Sequence, residues 1–335
     1  MSELAIVIPA YKHQFFDKTL NSLARQTNKN FTVYIGDDNS PFALSEIINR
    51  YKGSLRIYYT RFENNIGAEN LVLQWNRCVG LTKGENWICL FSDDDIMDEN
   101  CVENFYLALE NKNNDFDVCR FNTVTIDKND SVLHECPIGP EKESSASMAF
   151  YLLKGKRGNS MPDHIFSREI YDKCGGFVFT EFAQGADWAT SILFSHDKGI
   201  QIIPDAKVYW RYSGLNISSA ASSQKHKMII GHLHFVEWAL NHFQYLKTSK
   251  SVITYEMIKE ALRSNLNMVM VCHYKGFNIN STYRIFTLYH KKFGLSPYQS
   301  ITALFQIMNI KIPAIDKLIH IFSRIKGKIC QVVSS

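Results

Sequence analysis

Ile88-Cys89-Leu90-Phe91-Ser92-Asp93-Asp94-Asp95-Ile96 is an apolar run that leads straight into three consecutive carboxylates. Read as a buried strand, it ends where the chain leaves the core, so the acids sit at the carboxyl edge of a sheet. In open α/β sheets ligands bind at that edge. Two unit charges about 5 Å apart at an effective dielectric of about 20 repel by roughly 3 kcal/mol. A hard divalent cation with oxygen ligands relieves such crowding, and Mg²⁺ typically takes one or two carboxylates together with substrate phosphates. Taken alone, the triplet reads equally as a solvated acidic turn before a helix near residues 99–109, so the flanking chain must decide.

Upstream, Leu4-Ala5-Ile6-Val7-Ile8 is a near-continuous apolar run, the mark of a strand buried on both faces, and Pro9-Ala10-Tyr11-Lys12 ends it. An amphipathic helix is expected over Phe16–Gln26, a second strand over Phe31–Ile35 closed by Gly36-Asp37-Asp38-Asn39-Ser40-Pro41, and a helix over Leu44–Tyr51. A third strand follows at Leu55–Tyr59, then a turn at Asn64-Asn65-Ile66-Gly67 and a helix over Ala68–Leu81. Strands alternating with helices of this length predict βαβ units and a mostly parallel sheet. Beyond the acidic turn, a helix and the strand Asp117–Phe121 are expected, with a hairpin-like turn at Asp127-Lys128-Asn129-Asp130. Gly139–Ser147, polar and rich in Glu and Ser, reads as a mobile surface loop, and the basic Gly155–Ser160 either closes on a phosphate or is a solvated loop.

These motifs, in this order, resemble the nucleotide-binding half of a family 2 glycosyltransferase with the GT-A fold. Ile6-Val7-Ile8-Pro9-Ala10-Tyr11 is similar to that family's opening VIPxYN strand, Ile35-Gly36-Asp37-Asp38-Asn39-Ser40 to its VDDGS turn, and Asn65-Ile66-Gly67 to its NxG element. Lys83-Gly84-Glu85-Asn86-Trp87-Ile88 is similar to KGEYI, which leads into the DxD acids. Further on, Ile165–Phe177 resembles the FRREvxxKvGGF segment, Gln184–Ala189 the GEDWxL element, and Tyr209–Ser218 the YRxHxGSxS loop.

The resemblance implies a set of roles. Pro9 and Ala10 shape a slot for the base, Tyr11 lies against it, and Asp37 accepts from the uracil or thymine imide. Asp93 holds ribose hydroxyls, while Asp94 and Asp95 bind Mn²⁺ or Mg²⁺ bridging the diphosphate. Relatives often carry an acid where Ser92 stands, so which two of the three acids form the working pair stays open. Asp38 reads equally as a turn-forming Asx residue. Gly176 and Trp188 belong to the acceptor side, with Gly176 needing positive φ or a close approach at a helix end. Asp187 is the catalytic base that takes the proton from the acceptor hydroxyl; the usual preceding Glu is Ala186 here, and Asp187 also suits a helix N-cap. Arg211 either meets the leaving diphosphate with its planar fork or makes a strand-edge salt bridge.

Composition bounds the rest. Hydrophobic residues at 45% and charged residues at 21% suit one large globular domain with an appendage. No apolar run approaches about 18 residues, and Met1-Ser2-Glu3 carries no basic leader, so a cytoplasmic protein is expected. The eight cysteines form no CxxC pair and read as reduced core residues. Residues 1–224 hold 22 Lys/Arg against 29 Asp/Glu, whereas residues 225–335 hold 15 against 4. The resemblance implies a catalytic domain over 1–224 (1–98 binding the nucleotide sugar, 99–224 on the acceptor side), and the charge asymmetry marks 225–335 as a basic, helical region facing something anionic. Helices are expected at about 225–246, 252–273, 280–292 and 297–308, then a basic amphipathic helix over Ala314–Lys326 that suits a membrane interface at the inner face of the cytoplasmic membrane. His232, His234, His242 and His273 show no metal-ligand spacing, and no nucleic-acid motif is visible.

The expectation is therefore an inverting, metal-dependent transferase of a nucleotide-diphosphate sugar, with a UDP-sugar first among donors. Its acceptor is a saccharide hydroxyl, carried on a polyprenyl diphosphate in the synthesis of a bacterial O-antigen, capsular or exopolysaccharide. The alternative is a catalytically silent nucleotide-sugar-binding subunit. A dehydrogenase is disfavoured by the absence of GxGxxG after the first strand. A nucleotidyltransferase is disfavoured by the Pro9-Ala10-Tyr11-Lys12 stretch where that chemistry uses a glycine-rich basic loop.

Overall fold

The computed structural model describes residues 3–111, 115–214 and 224–308. The first half alternates as expected: β1 (Leu4–Ala10), α1 (Phe16–Ala24), β2 (Phe31–Asp37), α2 (Leu44–Asn49), β3 (Ile57–Arg61), α3 (Leu71–Val79) and β4 (Trp87–Leu90). Then come β5 (Ile96–Met97), α4 (Cys101–Glu110), β6 (Val118–Ile126), β7 (Val132–Glu135), β8 (Lys142–Glu143), α5 (Ser145–Leu153), β9 (His164–Ser167), α6 (Arg168–Cys174), α7 (Ala186–Phe194) and β10 (Ile200–Arg211). The chain continues in helices: α8 (Lys225–His242), α9 (Tyr255–His273), α10 (Ile279–Thr287) and α11 (Pro297–Ile307).

The strands form a single mixed sheet of order β3-β2-β1-β4-β9-β6-β10-β5, with β7 on β6 and β8 on β10. Pairings among β3, β2, β1 and β4 are parallel, as is that of β6 with β10; β9 runs antiparallel to both β4 and β6. Successive side chains of a strand point to opposite faces, and both faces of β1 are covered. Leu4, Ile6 and Ile8 pack with Phe16, Leu20 and Phe105 from α1 and α4. Ala5 and Val7 pack into the opposite core, to which α5, α7, α8 and α9 contribute. Burial on both sides is why β1 reads as an unbroken apolar run rather than an alternating one.

Local chemistry sets several boundaries. The Asn70 side chain accepts from the Leu73 amide and caps α3. Ser167 caps α6, which ends on Gly175 in the left-handed region. Pro297 opens α11 behind a Ser296–Gln299 capping box. One expectation changes. Residues 139–147 are not one mobile loop: Lys142–Glu143 pairs with β10, and Ser144 caps α5, because Glu143 and Ser145 are buried. The four expected C-terminal helices are present, but the amphipathic segment 314–326 and residues 215–218 of the late loop lie outside the described residues. Seven described cysteines are free thiols, four of them buried.

Candidate active site

β1, β2 and β4 end together, and the loops at their carboxyl ends are tied to one another. The Asp38 amide donates to the Ala10 carbonyl, the Phe91 amide to the Val7 carbonyl, and the Ser40 hydroxyl to the Tyr11 carbonyl at 2.7 Å. A cavity of about 890 Å³ opens over this edge. Its wall includes Pro9, Ala10, Tyr11, Asp38, Asn65, Gly67, Asp93 and Asp94, and also Asp187, Trp188 and Trp210. The structure thus brings six of the expected residues, Pro9, Ala10, Tyr11, Asp93, Asp94 and Asp187, to one hollow, with Trp188 beside them.

Asp93 is held rigidly. One carboxylate oxygen accepts from the backbone amides of Tyr11 and Lys12 at 2.8 and 2.7 Å. The Lys12 ammonium lies 3.2 Å from the other oxygen and is also hydrogen-bonded to Asp94. Burial pushes the Asp94 carboxyl above its ordinary range, against the pull of Lys12. Burial also works against the Lys12 charge, yet Asp93 and Asp94 outweigh it and hold that ammonium above the usual lysine range. Lys12, which the sequence reading did not single out, stands where the VIPxYN pattern has its final Asn, and that departure is the signal that could have found it.

Three expected contacts are placed differently. Asp37 does not reach the cavity: it is fully buried, with one oxygen accepting from the Ser40 amide and the other from the Tyr59 hydroxyl, both at 2.7 Å. Its neighbour Asp38 forms the wall instead, accepting from the amides of Ile66 and Gly67 at 2.9 and 2.7 Å and pairing with Arg77 at 2.5 Å. Asp95 also turns inward: its carboxylate accepts from the Arg211 amide at 2.7 Å, and its carbonyl accepts from the Thr19 hydroxyl. Arg211, wholly buried, lies under the acids and over the Phe15 ring at 4.4 Å, reaching the carbonyls of Asp94 and Asp127 and the Asp130 carboxylate. It makes the strand-edge salt bridge, to the exposed Asp130, and does not line the cavity wall.

On the other side, α7 carries Asp187 in its first turn, with Gly185 at the N-cap, so Asp187 is not the cap. Asp187 is half-buried, and desolvation raises its carboxyl to about 6, Asp163 adding to the effect. Beneath it, Asp163 is buried with His164 at 2.5 Å, Thr123 and the amide of Ser160. Trp188 packs edge-on against Phe235 of α8 with ring centres 5.7 Å apart. Gly176 does not reach the cavity; it follows α6 with φ +97°, and a Cβ there would lie 2.7 Å from the Asn76 side-chain oxygen. The 155–160 segment is anchored: Arg157 forks onto the buried Glu143 carboxylate at 2.9 and 3.1 Å and faces the cavity. His232 and Phe235 of α8 and Met268 and Val269 of α9 complete the wall, a contribution from the C-terminal helices that no local motif announced.

The donor chemistry suits a divalent cation: Asp94 and Asp93 are hard oxygen ligands at the cavity wall. Asp95 faces the Arg211 amide with one carboxylate oxygen and does not line the cavity. Among the described residues, no helix is long and apolar enough to cross a membrane.

Comparison with known proteins places these features. The glycosyl transferase family 2 model matches residues 5–178. An uncharacterized glycosyltransferase of Haemophilus influenzae is 28% identical over 176 residues, covering 52% of this chain and 55% of that protein, so the chain spans about half the length of this relative. A validoxylamine A glucosyltransferase of Streptomyces hygroscopicus is 37% identical over 67 residues, 19% of this chain and 15% of that one. The fold is similar to that of S. aureus TarS residues 1–349 in complex with UDP-GlcNAc, with TM-score 0.57 and 15% identity over 91% of this chain and 90% of that chain. It also resembles the mannosyltransferase PcManGT of Pyrobaculum calidifontis in complex with GDP-Man and Mn²⁺, with TM-score 0.50 and 10% identity over 91% and 84%.

Proposed function

The chain belongs to glycosyltransferase family 2, and from that premise we propose that it moves a sugar from a nucleotide-diphosphate donor, a UDP-sugar first, to a saccharide hydroxyl with inversion. The observation that carries this reading is a single cavity lined both by the acidic pair Asp93–Asp94 and by the raised carboxyl of Asp187. A base with a carboxyl near 6 is ionised at neutral pH yet more basic than an ordinary Asp, which suits proton removal from a hydroxyl.

The roles follow from position. Pro9, Ala10 and Tyr11 flank the base, and Asp38 replaces Asp37 as the carboxylate on that wall. Asp93, pinned by two backbone amides, orients the ribose. A divalent cation held by Asp94 beside Asp93 would supply Lewis-acid neutralisation of the leaving diphosphate. Asp187 takes the acceptor proton as the acceptor oxygen bonds to the anomeric carbon. The bond to the diphosphate oxygen breaks on the opposite face and its electrons leave with the nucleotide. Trp188, Trp210 and Phe235 offer apolar faces to the acceptor's sugar ring.

We read 1–224 as the catalytic unit and the helices beyond 225 as the far wall of the acceptor side. The basic excess of that region supports an acceptor on a polyprenyl diphosphate at a cytoplasmic membrane surface, as in assembly of a surface polysaccharide. The test is a panel of UDP-, GDP- and dTDP-sugars with Mn²⁺ or Mg²⁺, followed by release of nucleotide diphosphate from the wild type and Asp94→Ala. Release from one donor, lost in the variant, is expected. Nucleotide binding with no turnover, even with polyprenyl-linked acceptors present, sinks the transferase reading in favour of a silent binding subunit.

A further inference from the structure

We propose that Lys12 is a displaceable counter-ion: its ammonium holds the cation position on Asp93 and Asp94 until a divalent cation and a nucleotide diphosphate arrive together. The inference deepens the donor-site reading above and rests on it.

The argument begins with charge. Asp93 and Asp94 are both nearly excluded from solvent, at 4% and 2% exposure, and adjacent in sequence. Two such carboxylates need a cation, and Lys12 provides one, bonded to Asp94 and 3.2 Å from Asp93. The lysine is positioned by the same acid that it neutralises, since its own backbone amide donates to Asp93 at 2.7 Å. Its side chain is 24% exposed and lines the cavity, so the ammonium has somewhere to go.

A divalent cation on Asp94 lies about 2.0–2.1 Å from a carboxylate oxygen in the case of Mg²⁺. That places it within contact distance of an ammonium already hydrogen-bonded to the same carboxylate, and the two cations repel. Lys12 must therefore swing away on its flexible stem. If the cation binds alone, the ammonium leaves two carboxylates and gains no anion in return. If a diphosphate binds with it, the displaced ammonium finds phosphate oxygens in the same cavity. Cation and nucleotide are thereby coupled, each raising the other's affinity, and the coupling is reciprocal. The acids of this chain are not a preformed cation site.

The test measures Mn²⁺ binding directly, from the electron paramagnetic resonance signal of the free ion, with and without UDP. The wild type is expected to bind Mn²⁺ at least ten-fold more tightly with UDP present than absent. Lys12→Met is expected to bind Mn²⁺ alone at least ten-fold more tightly than the wild type, with the benefit of UDP reduced. Lys12→Arg keeps the charge and is expected to keep the wild type's weak binding of the bare ion; it serves also if Lys12→Met does not fold. Equal Mn²⁺ affinity of wild type and Lys12→Met without UDP overturns the proposal, as does tight Mn²⁺ binding by Lys12→Arg alone. Absence of Mn²⁺ binding in both proteins while UDP still binds in calorimetry overturns the cation reading of the donor site itself, an outcome distinct from the first two.

Discussion

The Nε of Arg211 donates to the backbone carbonyl of Asp94 at 2.7 Å, while the Arg211 backbone amide donates to the Asp95 carboxylate at the same distance. The last residue of β10 therefore grips the acidic turn after β4 from beneath, through main chain and side chain together. Asp94 can face the cavity because Asp95, one residue on, is locked into the fold.

Arg211→Met should consequently act first on stability. Losing the guanidinium leaves the carbonyls of Asp94 and Asp127 without that donor, at about 1–3 kcal/mol per buried group; the ion pair itself adds little, because Asp130 is 39% exposed. A lower urea midpoint is expected, with only part of the loss recovered by Arg211→Lys, which lacks the fork. Unchanged unfolding combined with weakened UDP binding would instead place the guanidinium on the diphosphate.

Asp187→Asn should separate activity from stability. Removing a general base typically costs 10²–10⁴-fold in rate, and UDP affinity should hold. The carboxyl stands near 6 in the folded protein against an ordinary value of 3.8. A raised carboxyl favours folding in its protonated form, and that contribution is lost as pH rises through 6. The wild type thus carries a penalty on the order of 2–3 kcal/mol above pH 6 that Asn escapes. The variant should melt higher than the wild type at pH 7–8, and the gap should close below about pH 4. Transfer by the wild type should rise with pH through about 6 rather than through 4. A flat profile between pH 5 and 7 excludes Asp187 as the base.

What was legible in the chain follows from how local the physics is. β1, β2 and β4 were readable because burial on both faces writes continuous apolar runs, and the acidic turn because the ordered motifs on either side of it frame it. Side-chain direction at strand ends was not. Asp37 ends β2 and Asp38 follows it, and a one-residue step reverses the face on which a side chain emerges; the same step separates Asp94 from Asp95. Nor could periodicity place α8 and α9 at the cavity, since nothing local to Phe235 or Met268 encodes a partner far away in the chain. Arg211 reads in sequence as either a phosphate fork or a strand-edge salt bridge, and only the tertiary fold decides, by placing Phe15 and Asp130 around it.

The Asp37–Asp38 step is directly testable. Asp38→Ala removes a carboxylate from the cavity wall and the anchor of the 64–67 turn, and UDP affinity is expected to fall by ten- to a hundred-fold. Asp37→Ala leaves the Ser40 amide and Tyr59 hydroxyl without their acceptor, and should lower the unfolding midpoint while correctly folded molecules still bind UDP. Calorimetry on both variants, paired with thermal unfolding, distinguishes them. The reverse pattern would return the base contact to Asp37.

The C-terminal helices make the sharpest prediction, because one glycine joins them to the segment that precedes Asp187. Gly231 of α8 sits so close to the 181–184 segment that a Cβ there would lie 2.0 Å from the Glu181 carbonyl. That segment is already strained: Phe182 and Ala183 both adopt positive φ, at 56° and 52°, immediately before the α7 turn that carries Asp187. Each such residue costs about 1–3 kcal/mol and persists only where surrounding packing dictates it. The element packed on it is α8, whose Phe235 also abuts Gly185. Gly231→Ala should push α8 off this segment, cost about 1–3 kcal/mol of stability, and let the strained residues relax. Asp187 then loses its position, and a displacement of about 1 Å at a catalytic group can cost 10²-fold. UDP binding should be spared, since the residues proposed for the base and ribose stand at the ends of β1, β2 and β4. A variant with wild-type turnover would show that α8 covers the catalytic loop without positioning it, and the region beyond 225 would then have to be explained by the acceptor alone.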